Sequence, residues 1–176
     1  QNIQLIAGVV AGDTDGWTDP STRFETVSSD PNSDQTGFGK PPGVLISGNA
    51  GFRMLSAPVS NGTYTDLLSE LWTQGMTGSD AAEASGDNVW TWTVGSGGAG
   101  SWSVVSNLGN TMTAGEGILV YAFADNNNDG TDDLPVALSV SGTESSGDVR
   151  YPASGTIENG RYGFAGNPYY QTIDWD

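Results

Sequence analysis

Gly117-Ile118-Leu119-Val120-Tyr121-Ala122-Phe123 runs through Ala124 into Asp125-Asn126-Asn127-Asn128-Asp129-Gly130-Thr131-Asp132-Asp133, and Leu134–Val140 leaves on the far side. Ile118, Val120 and Ala122 alternate with Leu119, Tyr121 and Phe123, so apolar groups fall on both faces of a period-two segment. This is the pattern of a central strand. Leu134–Val140 predicts the next strand. The acidic stretch therefore joins two strands, not two helices, and the chain is read as mostly β.

The acidic stretch carries oxygen donors at alternate positions around a glycine, the arrangement a hard divalent cation needs. Counted as a calcium loop, Asp125 is first, Asn127 third, Asp129 fifth and Gly130 sixth. Thr131 would offer its carbonyl and Asp133 follows as the next ligand. Val136 stands where a helix-flanked loop carries its bidentate glutamate, so this is not a complete EF-hand. The spacing resembles the shorter aspartate-rich calcium loops of dockerins and thrombospondin type 3 repeats. The missing ligand would come from Asp132, from water or from elsewhere in the fold. The competing reading is a solvated turn, which also favours Asn, Asp and Gly. Asp13, Asp15 and Asp19 repeat the pattern less completely, because Ala11 occupies the first position. Ca²⁺ is the expected cofactor.

Outward from this centre, Val44–Ser47 and Phe52–Ala57 read as strands, with Pro58 ending the second. Residues 88–105 read as a hairpin. Trp90 and Trp92 share a face of its first strand, Trp102 lies on the return, and Gly95–Gly100 supplies the loop. That glycine-rich loop joins two strands, so it lacks the helix a phosphate site requires. Val149–Tyr151 reads as a short strand. Asn159-Gly160 predicts a second hairpin. Near residues 64–74, Leu67, Leu68, Leu71 and Trp72 form one apolar helical face, Thr63 is a capping type and Gly75 can end the helix. Nine to eleven short strands with one helix predict a β-sandwich or jelly-roll-like domain over residues 44–176.

Residues 1–43 are read as an extended N-terminal strand or arm followed by a long acidic loop. Ile3, Leu5 and Val9 fall on one face of the strand, and Ile6 and Val10 on the other. A strand buried on both sides can complete its own sheet or enter a neighbour's. Ile3, Leu5, Ile6, Val9 and Val10 are therefore the candidate subunit contact. The opening at Gln1 is what a mature or trimmed chain would show.

Twenty-six glycines in 176 residues weigh against helix and toward turns. Net charge is −16, and the five bases, Arg23, Lys40, Arg53, Arg150 and Arg161, are dispersed. Nucleic acid is excluded as a partner, because phosphate binding needs clustered cations. No apolar run is long enough for a membrane-spanning helix. Self-repulsion at this charge favours solubility at some cost in stability, which bound calcium would relieve; salt adaptation is the rival account.

Chemistry is constrained by what is missing. Without His or Cys, the usual general base, the Ser-His-Asp triad and thiol nucleophiles are removed. Lys40, in a proline-rich turn, is the only lysine. A carboxylate pair, as in glycoside hydrolysis, is the remaining route to catalysis. Glu116, between Gly115 and Gly117 at a strand start, is the best-placed carboxylate; a turn role is its bland alternative. No second carboxylate is identifiable by spacing, so no catalytic residue is assigned. Trp17, Trp72, Trp90, Trp92, Trp102, Trp175, Tyr169 and Tyr170 could stack on sugars, although core packing accounts for most of them. Asn61-Gly62-Thr63 is a formal glycosylation sequon that also reads as a turn and helix cap.

Two segments carry a family resemblance. Gly51-Phe52-Arg53-Met54-Leu55-Ser56-Ala57-Pro58-Val59 resembles "GWRMLSSPV". Gly166-Asn167-Pro168-Tyr169-Tyr170-Gln171-Thr172-Ile173-Asp174-Trp175-Asp176 resembles "GNPYPSTIDWD". Both patterns recur in secreted or cell-surface proteins of Bacteroidota, in β-rich modules upstream of a type IX secretion sorting domain. Phe52 and Tyr170 depart from the pattern. The resemblance covers residues 51–176 and implies an exported, extracellular module with no known active site. The expectation is a non-catalytic structural or adhesive module, joined through its N-terminal strand to further copies or to another surface protein, as in a filament. The alternative is a carbohydrate-binding module, and a glycoside hydrolase is a remote third.

Overall fold

The computed structural model describes residues 43–94, 100–154 and 156–169, and most of the apolar period-two segments within them form antiparallel strands. Eight strands and one helix follow in order. They are β1 (Gly43–Ile46), β2 (Gly51–Leu55), β3 (Val59–Ser60), α1 (Tyr64–Leu68), β4 (Val89–Thr93), β5 (Ser101–Val104), β6 (Ile118–Ala122), β7 (Val136–Ser139) and β8 (Thr143–Glu144). The protein is mostly β with one short helix. The candidate contacts Ile3, Leu5, Ile6, Val9 and Val10, and the second acidic loop at Asp13, Asp15 and Asp19, lie outside the described residues, as do Trp17, Tyr170 and Trp175.

The central sheet has the order β2-β6-β4-β5, and β1-β7 and β3-β8 form two-stranded sheets. Strand β6 is the hub of the central sheet. It pairs with β2 on one side (Phe52 opposite Tyr121, Met54 opposite Leu119) and with β4 on the other (Trp90 opposite Leu119). Its inward residues Ile118, Val120 and Ala122 are fully buried. They join Leu55 of β2, Val89 of β4, Ile46 of β1, Leu138 of β7 and Leu67 and Leu68 of α1 in one hydrophobic cluster. The β1-β7 sheet and the helix thus pack against the inner face of the central sheet.

The helix is shorter than its apolar face predicts. Thr63 caps it: the threonine hydroxyl accepts from Asp66 N–H at 3.1 Å while the Asp66 carboxylate accepts from Thr63 N–H, a capping box. At the other end, distant side chains take backbone donors that a longer helix would have used internally. The Asp80 carboxylate accepts from Thr73 N–H at 2.8 Å, and the Asn88 side-chain carbonyl accepts from Gln74 N–H at 2.9 Å. Leu71 and Met76 still reach the core, from irregular backbone. Trp72, expected on the helical face, lies beyond its end and donates its indole N–H to the Gln74 side chain.

Asn88 is the polar node of this region and is 2 % exposed. Its side-chain amide donates to the carbonyls of Trp72 (2.9 Å) and Tyr121 (3.1 Å), and its own backbone carbonyl accepts from Tyr121 N–H. One residue therefore stitches the post-helical segment to β6.

The expected hairpin at Asn159-Gly160 reduces to a turn. Gly160 has φ +78 and Arg161 N–H reaches Glu158 carbonyl at 3.1 Å, but no strands flank it. Residues 164–166 pair elsewhere, with Gly117 N–H on Phe164 carbonyl and Gly166 N–H on Gly115 carbonyl. Val149–Tyr151 likewise forms no strand.

Candidate functional site

Three features of the described residues bear on function: the acidic loop, the outer face of the central sheet, and a cleft at one end of that sheet.

The acidic loop connects β6 to β7, as the strand pattern predicts. Short polar side chains close on nearby backbone N–H groups and fold it locally. Asp125 accepts from Asn127 N–H (3.2 Å), Asp129 N–H (3.2 Å) and Gly130 N–H (2.7 Å). Asn127 accepts from Asp129 N–H, Asp129 from Thr131 N–H, and Asp133 from Asn126 N–H. Desolvation pushes the Asp125 carboxyl up. The N–H groups of Gly130, Asn127, Asn128 and Asp129 outweigh it and hold the group below the ordinary aspartate range. Asn128 and Gly130 take positive φ, +60 and +93, at the turn. The Asn126 amide donates to the Glu70 carbonyl at 3.0 Å, tying the loop to the segment after α1.

Each carboxylate offers about four lone-pair sites, so the internal bonds occupy Asp125 and leave acceptor capacity at Asp129 and Asp133. Among the described residues, however, no three acidic side chains converge as a metal group. A cation here would draw on Asn127 and on the Thr131 carbonyl as well.

The outer face of the central sheet is the second feature. The register places Phe52 and Met54 of β2, Leu119 and Tyr121 of β6, Trp90 and Trp92 of β4, and Trp102 and Val104 of β5 on one side. Phe52 is 60 % exposed, Met54 48 %, Trp102 45 % and Val104 40 %. The rings meet in two groups. Tyr121 touches Phe123 and Phe52 at centroid distances of 5.0 and 5.2 Å, and Phe52 reaches Trp90 at 5.9 Å. Trp102 lies edge-on to Trp92 at 5.1 Å and to Phe164 at 5.4 Å. Contrary to the core-packing expectation, the face that Trp90, Trp92 and Trp102 share is the outer one. The inner face at these strands is filled by Val89, Ile118 and Val120. Tyr169 plays a local part, accepting from Val149 N–H and donating to the Gly147 carbonyl at 2.7 Å.

The third feature is a cleft of about 210 Å³ lined by Trp92, Thr93, Val94, Thr113, Glu116, Tyr151, Pro152, Ala153 and Ser154. Sequence adjacency brings none of these segments together. The bridge between Glu116 and Ala165 positions the carboxylate. Gly117 allows it, because a Cβ there would lie 2.6 Å from the Phe164 ring. Burial pushes the Glu116 carboxyl up, and a hydrogen bond from the Thr113 side chain partly offsets this. Burial likewise raises the Tyr151 hydroxyl, opposed by its hydrogen bond from Phe164 N–H and reinforced by the charge of Glu116. Among the described residues that line the cleft, Glu116 is the only acid, so none of them pairs with it as a second carboxylate for glycoside hydrolysis.

The sequon at Asn61-Gly62-Thr63 is spent structurally, on a positive-φ turn at Asn61 (φ 64) and on the helix cap. Among the described residues no helix is long and apolar enough to cross a membrane. No protein-family model matches this chain, and neither does a curated protein or a solved structure.

Proposed function

We propose that this chain is a non-catalytic, extracellular adhesive module that binds neutral glycan chains on the outer face of its central sheet. One observation carries the reading: four strands in register present one face of partly exposed aromatic and apolar side chains. Sugar rings stack their C–H faces on such side chains while their hydroxyls stay in water. Net charge selects among glycans. At −16 the chain repels sulfated and uronic-acid polymers. The one described arginine in these strands, Arg53, is committed to the carbonyls of Ser47, Asn49 and Phe52.

Three further elements belong to the proposal. Calcium at Asp125, Asn127, Asp129, Thr131 and Asp133 would lock the β6–β7 connection, supported by the alternating oxygens and the residual acceptor capacity of the loop. An exported, surface-attached setting is supported by the resemblance carried by residues 51–59 and 166–176. Lack of catalysis rests on the sequence, which has no His and no Cys to serve as the usual general base or nucleophile. Affinity electrophoresis in gels containing neutral polysaccharides tests the binding reading. The wild type is expected to be retarded, and Phe52→Ala combined with Trp102→Ala to run freely. Equal mobility of both proteins in every polysaccharide gel would refute it, and capture of a protein ligand on the same face would replace it.

A further inference from the structure

We infer that the cleft between Trp92 and residues 151–154 is a separate binding site for one neutral sugar ring, with Trp92 as its wall and Glu116 as its hydrogen-bonding anchor. The choice of sugar as ligand rests on the glycan reading of the sheet face. The cleft itself is an independent observation.

Size comes first. Pockets for drug-sized ligands run to roughly 300–1,000 Å³. At about 210 Å³ this one suits a single ring. Its wall is already in place. The Trp92 indole N–H donates to the Tyr162 carbonyl at 3.1 Å, and Trp102 packs edge-on against the ring. The Gly100 backbone comes so close that a Cβ there would sit 2.4 Å from the indole. A ring fixed from three sides loses little further freedom when a ligand stacks on it.

The polar groups then set ligand chemistry. Glu116 supplies two oxygens in a half-buried position, where a hydrogen bond is stronger than at the open surface. Such a pair of acceptors matches two adjacent sugar hydroxyls. Tyr151 already accepts from Phe164 N–H at 2.8 Å, so its hydroxyl is held in place and keeps a proton to donate. Pro152 adds apolar surface beside these groups. Among the described lining residues there is no lysine or arginine, so an acidic sugar would meet Glu116 with none of them to neutralise it. A neutral ring meets a stacking wall, an acceptor and a donor.

The test uses the full chain, tryptophan fluorescence and the methyl glycosides of glucose, galactose, mannose and N-acetylglucosamine. At least one glycoside is expected to shift the emission saturably below about 50 mM. Glu116→Gln, which keeps the side-chain shape, is expected to weaken that binding about tenfold, the change one lost charged hydrogen bond produces. Trp92→Leu removes the wall and is expected to abolish it. Absence of any saturable response, or equal affinity in Glu116→Gln, overturns the cleft assignment. Polysaccharide gels run in parallel separate the two readings. Retardation without glycoside binding keeps the sheet face and eliminates the cleft. Glycoside binding without retardation keeps the cleft and eliminates the sheet face.

Discussion

Replacing Asn88 by alanine is expected to be among the most destabilising single changes in this chain. The side chain is almost fully buried and makes three hydrogen bonds, all to main-chain groups: Gln74 N–H, Trp72 carbonyl and Tyr121 carbonyl. Alanine deletes all three and leaves three backbone groups in a dry environment. At about 1 kcal/mol per lost bond the cost is about 3 kcal/mol, and incomplete rehydration of the orphaned groups raises it toward 5 kcal/mol. For a chain of this size that corresponds to a drop in Tm of about 10 °C. Asn88→Asp sharpens the test. It keeps the acceptor for Gln74 N–H but sets carboxylate oxygens against two carbonyls. Its loss should therefore match or exceed that of alanine at neutral pH and shrink in acid, when the protonated carboxyl regains a donor. Urea unfolding, with the slope m unchanged, measures the difference. Asn107→Ala is the control, because that side chain makes one local bond to Gly109 N–H. If Asn88→Ala costs no more than Asn107→Ala, the node does not hold the post-helical segment to β6 and the reasoning fails.

Other outcomes follow from single sites. Millimolar calcium should raise the Tm relative to EDTA, with no such gain in Asp125→Ala; identical melts of the wild type in the two buffers would remove calcium from the account. Burial raises the Glu116 carboxyl above its ordinary value of 4.5, so the folded state holds that proton more tightly than the unfolded chain. Glu116 therefore lowers stability above its folded pKa, and the deficit disappears as pH falls below 4.5. Glu116→Gln should accordingly be more stable than the wild type at pH 7, the gap closing in acid; a gap independent of pH counts against this. Tyr64 and Tyr151, the groups coupled to Glu116, stay neutral across that window. Thr63→Ala removes the helix cap and should cost about 1 kcal/mol in urea unfolding; a cost near zero would mean the Asp66 carboxylate holds the first turn unaided.

The strands were legible because period two survives tertiary context. Residues 117–123 and 134–140 were read within two residues of β6 and β7, and the hairpin around Trp90, Trp92 and Trp102 has the predicted partners. Alternation identifies side chains that share a face, but it does not say which face meets the core. Alternation alone therefore lets the tryptophans read as core, although Val89 and Val120 fill the inner side. The end of α1 was equally hidden. Its apolar face continues to Trp72, but Asp80 and Asn88, distant in sequence, capture the donors at Thr73 and Gln74. The cleft at Glu116 depends on pairing between residues 115–117 and 164–166, a contact no local pattern encodes. The same pairing uses the chain that the Asn159-Gly160 turn would have sent into a hairpin.

The exposed aromatic sheet face also gives the acid excess a colloidal role. Apolar side chains gathered on one exposed face are a ready contact for another copy of the same face. Sixteen net negative charges on each chain oppose that encounter at long range. The opposition extends about 10 Å at 0.1 M salt and only about 3 Å at 1 M. Low ionic strength is thus expected to keep two such faces apart and high ionic strength to let them meet, so acidity that contributes nothing to the core sets the salt dependence of that encounter.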